Sequence, residues 1–303
     1  MQTNHTTTIS KFLSIVGVVF SSLICGNTFG QGGIKDPPPP EKMYPPPGAY
    51  SKDTMHYPVR YVALRQADVL WSQRIWRILD LREKINLTLY YPLKRNADRE
   101  CLWDIIREAV KGGEMMAYED NSLTDLDNTF TVQLSKAKLM EIIEPVDSSL
   151  VDENGNPLPP AAEPIEPNMI RGYMLKEDWF FDKQRSVMDV RILGIAPMLV
   201  PTNRNTKQED TTGGLSPLFW IYFPQARSLF ATKEAFNPFN DSQRLNFDDI
   251  FEKRQFSSYI FQESNVYNRP LAGVVNTTGL DRLLEGEKIK KKMFEIEHDM
   301  WQY

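Results

Sequence analysis

Residues 71–92 read WSQRIWRILDLREKINLTLYYP, and the way this stretch folds decides the class of the chain. A helix from Asp68 to Asn86 would gather Leu70, Trp71, Ile75, Ile78, Leu79 and Ile85 near one face. A shorter helix over Ala67–Arg74, with Asp68 near its start, is the smaller version of that reading. A strand over Ile75–Glu83 would instead place Ile75, Leu79 and Leu81 on one side. A later echo favours the strand. Trp179 opens it, Ser186–Arg191 (SVMDVR) fills it and Tyr222-Phe223-Pro224 closes it, as Trp71, Asp80-Leu81-Arg82 and Tyr90-Tyr91-Pro92 do in the first stretch. Ser186–Ile195 is β-branched and bounded by Gly194 and Pro197, so it reads as a strand. Its counterpart Ile75–Glu83 is then read as a strand too.

Helices follow each echo. Asn96–Lys111 carries an apolar face of Cys101, Leu102, Ile105, Ile106, Ala109 and Val110, with Asn96 or Asp98 as cap and Gly112-Gly113 as stop. Met115–Tyr118 reads as a strand, Glu119–Asn128 as a polar loop, and Ser135 as the cap of a helix through Ile143. Later, Asn246 caps Phe247–Gln255, and Ser257–Phe261 reads as a strand. Setting Glu119 against Glu263 also aligns Asp104 with Asp248, Ile106 with Ile250, Glu108 with Glu252 and Asn121 with Asn265. The fold class is therefore α+β, with two related helix-strand units that suggest an internal duplication. Residues 57–144 form the first unit and 169–278 the second. The acidic, proline-rich stretch 145–168 between them reads as a linker. Asn203–Gly214 reads as a second loop. Residues 279–303 form a long terminal helix, with Ile289, Met293, Ile296 and Met300 at helical spacing. Its basic cluster, Lys288 and Lys290–Lys292, reads as a solvated face or as a contact with an acidic neighbour.

The amino-terminal residues have a different character. Lys11 precedes an apolar run of 13 residues, Phe12–Ile24, and Thr28-Phe29-Gly30 sets small residues before Gln31. This is the pattern of a cleaved secretory signal over residues 1–30, and the run is short of the roughly 20 residues that span a bilayer. Acylation at Cys25 is the rival reading, although Ile24 is large for that chemistry. Cleavage would leave Cys101 as the single thiol, so no internal disulfide is expected. Residues 31–56 contain Pro37–Pro40 and Pro45–Pro47, which favour an extended arm. That arm is either a stiff tether or a segment that lies along a neighbouring subunit, anchored by Tyr44 and Tyr50. The formal net charge of −5 and the 25% charged fraction give no basic stripe for nucleic acid and no attraction to anionic lipid.

Catalytic patterns are sparse. The three histidines, His5, His56 and His298, belong to no motif, and no nucleophile elbow or dinucleotide glycine pattern occurs. Cys101 lies on an apolar face and reads as packed rather than nucleophilic. Glu177, Asp178 and Asp182 stand among Trp179, Phe180 and Phe181, a composition found where sugars bind, so a periplasmic carbohydrate-binding or carbohydrate-processing protein is the second functional class. Glu119–Asn128 has oxygens enough for calcium but lacks the EF-hand glycine and terminal glutamate. Asp80 with Arg82, and Asp189 with Arg191, read as structural pairs that bridge strands or subunits. Trp71, Trp76, Trp179 and Trp220 would serve as core or as interface anchors. No catalytic, cofactor-binding or metal residue is assigned.

Four runs are distinctive: ADVLWSQRIWRILDLREKINLTLYYP, LWDIIREAVKGGEMMAYEDNSLTDLDNTFT, LKEDWFFDKQRSVMDVRILGIAP and GLDRLLEGEKIKKKMFEIEHDMWQY. In that order they resemble the gliding-motility GldN family, called PorN in non-gliding relatives. The resemblance implies a non-enzymatic periplasmic component of the type IX secretion system. It implies self-association in a ring with the outer-membrane lipoprotein GldK (PorK), and a link to the GldL and GldM (PorM) motor. It calls for no cofactor.

Overall fold

In the computed structural model the deciding stretch is a strand, β1, Val69–Asp80. The helix expected over Ala67–Arg74 is reduced to one 3-10 turn at Gln66–Asp68. Pairing explains why. From Trp71 opposite Phe181 to Asp80 opposite Gly172, β1 lies antiparallel to β5, Ile170–Asp182. That ladder outweighs the local helical spacing. The strand stops at Asp80 rather than Glu83 because the Asp80 carboxylate turns back onto Arg82. It accepts the Arg82 backbone N–H at 2.9 Å and its guanidinium at 2.6 Å, closing the bend.

The structure describes residues 57–96, 99–119, 130–147, 161–162, 164–199, 202–203, 208–209, 215–237, 245–265, 270–271 and 279–301. The expected signal and arm, Cys25, His56, most of the polar loop Glu119–Asn128 and the middle of the linker lie outside them. Leu87–Tyr90 forms α1, Leu102–Gly112 α2, Lys136–Ile143 α3, Phe223–Thr232 α4, Phe247–Glu252 α5 and Gly279–Trp301 α6. Besides β1 and β5, the main sheet holds β2 (Ala117–Tyr118), β6 (Val187–Leu199), β10 (Trp220–Tyr222) and β13 (Tyr259–Glu263). Their order is β13-β1-β5-β6-β10-β2, with β9 (Ser216–Pro217) also on β6, and every pairing is antiparallel. The fold is α+β.

The two sides of β1 divide the core. Leu79 joins Tyr173, Leu175, Ile192 and Ile195 beneath α1 to α5, where Trp103, Phe223, Phe230, Phe247 and Phe251 are buried. Each fully buried side chain of this size contributes about 1.5–3 kcal/mol. Ile75, on the same side of β1, packs with Ile260, Ile289 and Met293 beneath α6. Trp76 and Ile78 point the other way, into a cluster with Met174, Met198, Tyr118 and Trp220. The described helices thus share one face. On the opposite face, Phe130 and Leu215 pack against the second cluster.

Helix ends follow local chemistry. Ser135 Oγ accepts from Lys138 N at 3.4 Å, and Asn246 Oδ1 accepts from Asp249 N at 2.6 Å. α2 starts at Leu102 with Cys101 at its N-cap, not at Asn96. The preceding turn closes on itself through Asn96 and Arg99, while buried Glu100 is held by Arg95 and Lys233 at 2.6 and 3.0 Å. Gly113, at φ +79°, ends α2 in the left-handed conformation that glycine adopts without cost. In α6, Ile289 and Met293 are buried, and Ile296 and Met300 are half-buried, as their spacing predicts.

The two echoes occupy unlike elements. Trp71 and Asp80 lie on one strand, whereas Trp179 and Asp189 straddle the β5–β6 hairpin. Tyr90 ends a helix; Tyr222 ends a strand. What recurs is a helix, a left-handed residue and an edge strand: α2, Gly113, β2 and α5, Arg254, β13. The strands also cross between halves, because β2 edges β10 and β13 edges β1. The stretch read as a linker is partly built into the fold. β3 (Val146–Asp147) pairs with β4 (Ala161–Ala162), and buried Ile165 accepts from Trp103 Nε1 at 3.0 Å and Arg107 Nη1 at 3.2 Å. In the loop Asn203–Gly214, β7 (Thr202–Asn203) pairs with β8 (Gln208–Glu209).

Candidate interaction surface

Strand alternation sends Glu177 and Asp178 to opposite faces of β5. Glu177 is fully buried. Its Oε1 accepts from Arg254 Nη1 at 2.9 Å, and its Oε2 from Arg254 Nη2 at 3.3 Å and Trp179 Nε1 at 2.9 Å. Arg254 reaches Glu177 because its φ is +52° just past α5, a position where glycine is usual. Asp178 pairs with Arg74 on β1 at 2.7 and 3.1 Å. Asp182 accepts from Arg185 at 2.7 Å and from the Gln184 backbone N–H at 2.8 Å. The three acids that suggested a sugar site are therefore each committed to a separate pairing.

Beside Glu177, the sheet and α6 enclose a groove of about 670 Å³. Trp179, Met188 and Phe256 form one wall, and Lys290, Met293 and Phe294 of α6 the other. Arg77 lies in it with only 8% of its surface exposed. Its Nε donates to Ser258 Oγ at 3.0 Å. Burial depresses the Arg77 pKa, an effect that nearby Glu177 partly offsets. Arg254 stands over the Trp179 and Phe256 rings at 5.3 and 5.2 Å, so cation–π contact joins charge to the aromatic wall. The outward face of α6 carries Leu280, Leu283, Leu284 and Phe294, each 49–67% exposed.

A second constellation fixes the residues just before β1. Arg227 of α4 forms a buried two-pronged pair with Asp248 of α5 at 2.8 and 3.1 Å. Its remaining terminal nitrogen donates to Val59 O at 2.7 Å, and its guanidinium stacks on Tyr61 at 4.2 Å. Arg191 stacks on the same ring at 5.2 Å and donates to Val62 O at 2.5 Å. Burial pushes the Tyr61 phenol up to about 12; Arg227 and Arg191 pull it down, while Glu252 and Asp248 raise it.

The remaining expected pairs resolve differently from their sequence reading. Asp80 and Arg82 bond within their own bend rather than across strands. Asp189 pairs with Arg185 at 2.7 Å, not with Arg191, whose guanidinium is taken by Tyr61, Phe180 and Val62. Trp76 and Trp220 are core residues; Trp71 and Trp179 are half-buried against the α6 cluster. Cys101 is buried, and burial raises its thiol to about 12. His298 is exposed on α6. Of the calcium candidate only Glu119 is described, and it faces Lys138 at 3.5 Å. Among the described residues no three His, Cys, Asp or Glu side chains gather to hold a metal ion, and no helix is long and apolar enough to cross a membrane.

Sequence reasoning singled out neither Arg77 nor Arg227. A single arginine in a strand or helix carries no local signal of the partner it will meet. Asp104 Oδ1 shows how position alone misleads. It lies 2.6 Å from Arg107 Nη2, yet at an angle that makes no hydrogen bond.

No match was found among curated proteins. A family profile described as gliding motility associated protein GldN matches residues 64–302, and the chain belongs to the GldN family.

Proposed function

From this membership we propose that the protein is a non-enzymatic structural subunit of the type IX secretion and gliding machinery. In this reading it is exported through a cleaved signal and works in the periplasm. There it assembles with further copies of itself and with the lipoprotein GldK (PorK) into a ring at the inner face of the outer membrane. The ring connects with the periplasmic region of GldM (PorM) and so with the GldL/GldM motor.

The observation that carries this reading is the family match over residues 64–302, which spans every described strand and helix. Two features support a role in assembly. The long helix α6 buries one face and leaves leucines and a phenylalanine exposed on another, a pattern common on surfaces that meet other proteins. The acids near Trp179 serve as internal ties, each with its own arginine.

Mild detergent extraction of cells carrying an affinity tag on the lipoprotein tests the proposal. The chain is expected in the eluate, in particles that electron microscopy shows as rings. A chain that elutes alone as a monomer, together with a sugar-hydrolysing activity abolished by Asp178→Asn, would establish the carbohydrate reading instead.

A further inference from the structure

Arg77 is an unusual group to bury. Among the described residues it donates one hydrogen bond, through Nε to Ser258 Oγ, and its terminal nitrogens have no acceptor. The nearest buried carboxylate, Glu177, is already engaged on both oxygens by Arg254 and Trp179. A buried guanidinium with open donors is costly unless an anion completes it. The groove into which Arg77 opens is about 670 Å³, within the range of ligand sites.

The walls narrow the class of anion. Glu287 and Glu297 stand on the α6 side, so the groove is not uniformly basic and disfavours a multiply charged phosphate. Trp179, Phe256 and Phe294 supply flat apolar surface. Such aromatic walls take proline-rich peptides, whose stiffness reduces the ordering cost. A single carboxylate flanked by prolines meets both requirements. The chain itself contains that sequence, Asp36-Pro37-Pro38-Pro39-Pro40-Glu41.

We propose that the groove between α6 and the sheet binds an extended, carboxylate-bearing, proline-rich peptide, and that its occupant is the Asp36–Glu41 segment of a second copy of the chain. Arg77 takes the carboxylate, and the aromatic walls take the prolines. The choice of occupant rests on the self-association in the proposed function; the chemistry of the groove does not.

The test is fluorescence anisotropy with a labelled peptide of residues 34–47, IKDPPPPEKMYPPP. The receptor is the full chain carrying Asp36→Asn and Glu41→Gln, so that its own segment does not compete. Saturable binding is expected, weakened about tenfold by Arg77→Met in the receptor and about tenfold by Asn and Gln at the two acids of the peptide. Phe294→Ala, at an exposed position, is expected to weaken binding as well and serves if Arg77→Met does not fold. No saturable binding, equal binding of the neutral peptide, or indifference to both groove variants would overturn the proposal. So would inorganic phosphate that displaces the peptide at equal or lower concentration, since the site would then be one for small anions. A peptide that fails to bind while rings still form removes the groove proposal alone. A peptide that binds while no ring forms removes the ring-subunit reading alone.

Discussion

Asn86 shows how single residues tie distant parts of this chain together. It is fully buried, and its amide bonds Asp80 O at 2.8 Å, Ser257 O at 2.9 Å and Ser257 N at 2.9 Å. Asn86→Ala leaves those backbone groups without partners and is expected to cost about 2–4 kcal/mol, read as a lower denaturation midpoint at unchanged slope. Arg254→Ala leaves the Glu177 charge buried and uncompensated. It is expected to cost about 3–5 kcal/mol, part of which Glu177→Gln restores in the double variant. Recovery of nothing would show that Arg254 acts through packing. Cys101 gives a chemical readout. With its thiol raised to about 12, it should resist alkylation at pH 8 in the folded protein and react once the protein is unfolded. Two titrations set the pH limits of this architecture. Asp182 is held below the usual carboxylate range, first by the Arg185 hydrogen bond. Its contribution is therefore present above about pH 4 and lost as pH falls through its lower folded value. Tyr61 is shifted the other way. Its contribution is complete below about pH 10 and lost as pH rises towards about 12. Melting curves of Asp182→Asn and Tyr61→Phe should accordingly flatten the acid and alkaline limbs respectively.

Elements are set by a mixture of local and distant causes, and the sequence exposes the local ones. The Ser135 and Asn246 caps, the Gly113 stop and the buried stripe of α6 are legible because each acts within a few residues. Strand β1 is legible only indirectly, since its apolar residues fit a helix until the β5 ladder is known. The start of α2 is misread because Glu100 is held by Lys233, 133 residues away. Glu177 and Arg254 are 77 residues apart, and the groove beside them joins β1, β5, β6, β13 and α6. No window on the sequence contains that set. The β1–β5 ladder has its own point of close approach. A Cβ at Gly172 would lie 2.4 Å from Leu79 O, which is backbone and fixed by pairing. Gly172→Ala is expected to lose about 1–3 kcal/mol, with faster amide exchange along β1 than along the helices.

At the scale of the whole molecule, the sheet ignores the division into successive units that the sequence suggests. β1 lies between β5 and β13, and β2 lies beyond β10, so each edge of the sheet is supplied by the opposite half of the chain. The folded body spanning both halves should melt in one calorimetric transition, with equal van't Hoff and calorimetric enthalpies. Two resolved transitions would show that the halves are independent. The same crossing has a consequence for timing. As the chain emerges amino terminus first, β1 has no long partner until residue 182 has followed, and its other flank stays open until residue 263. Pairings this far apart in sequence are slow to form. The polypeptide therefore remains an open thread through most of its passage across any pore, and it locks only when its last strand arrives.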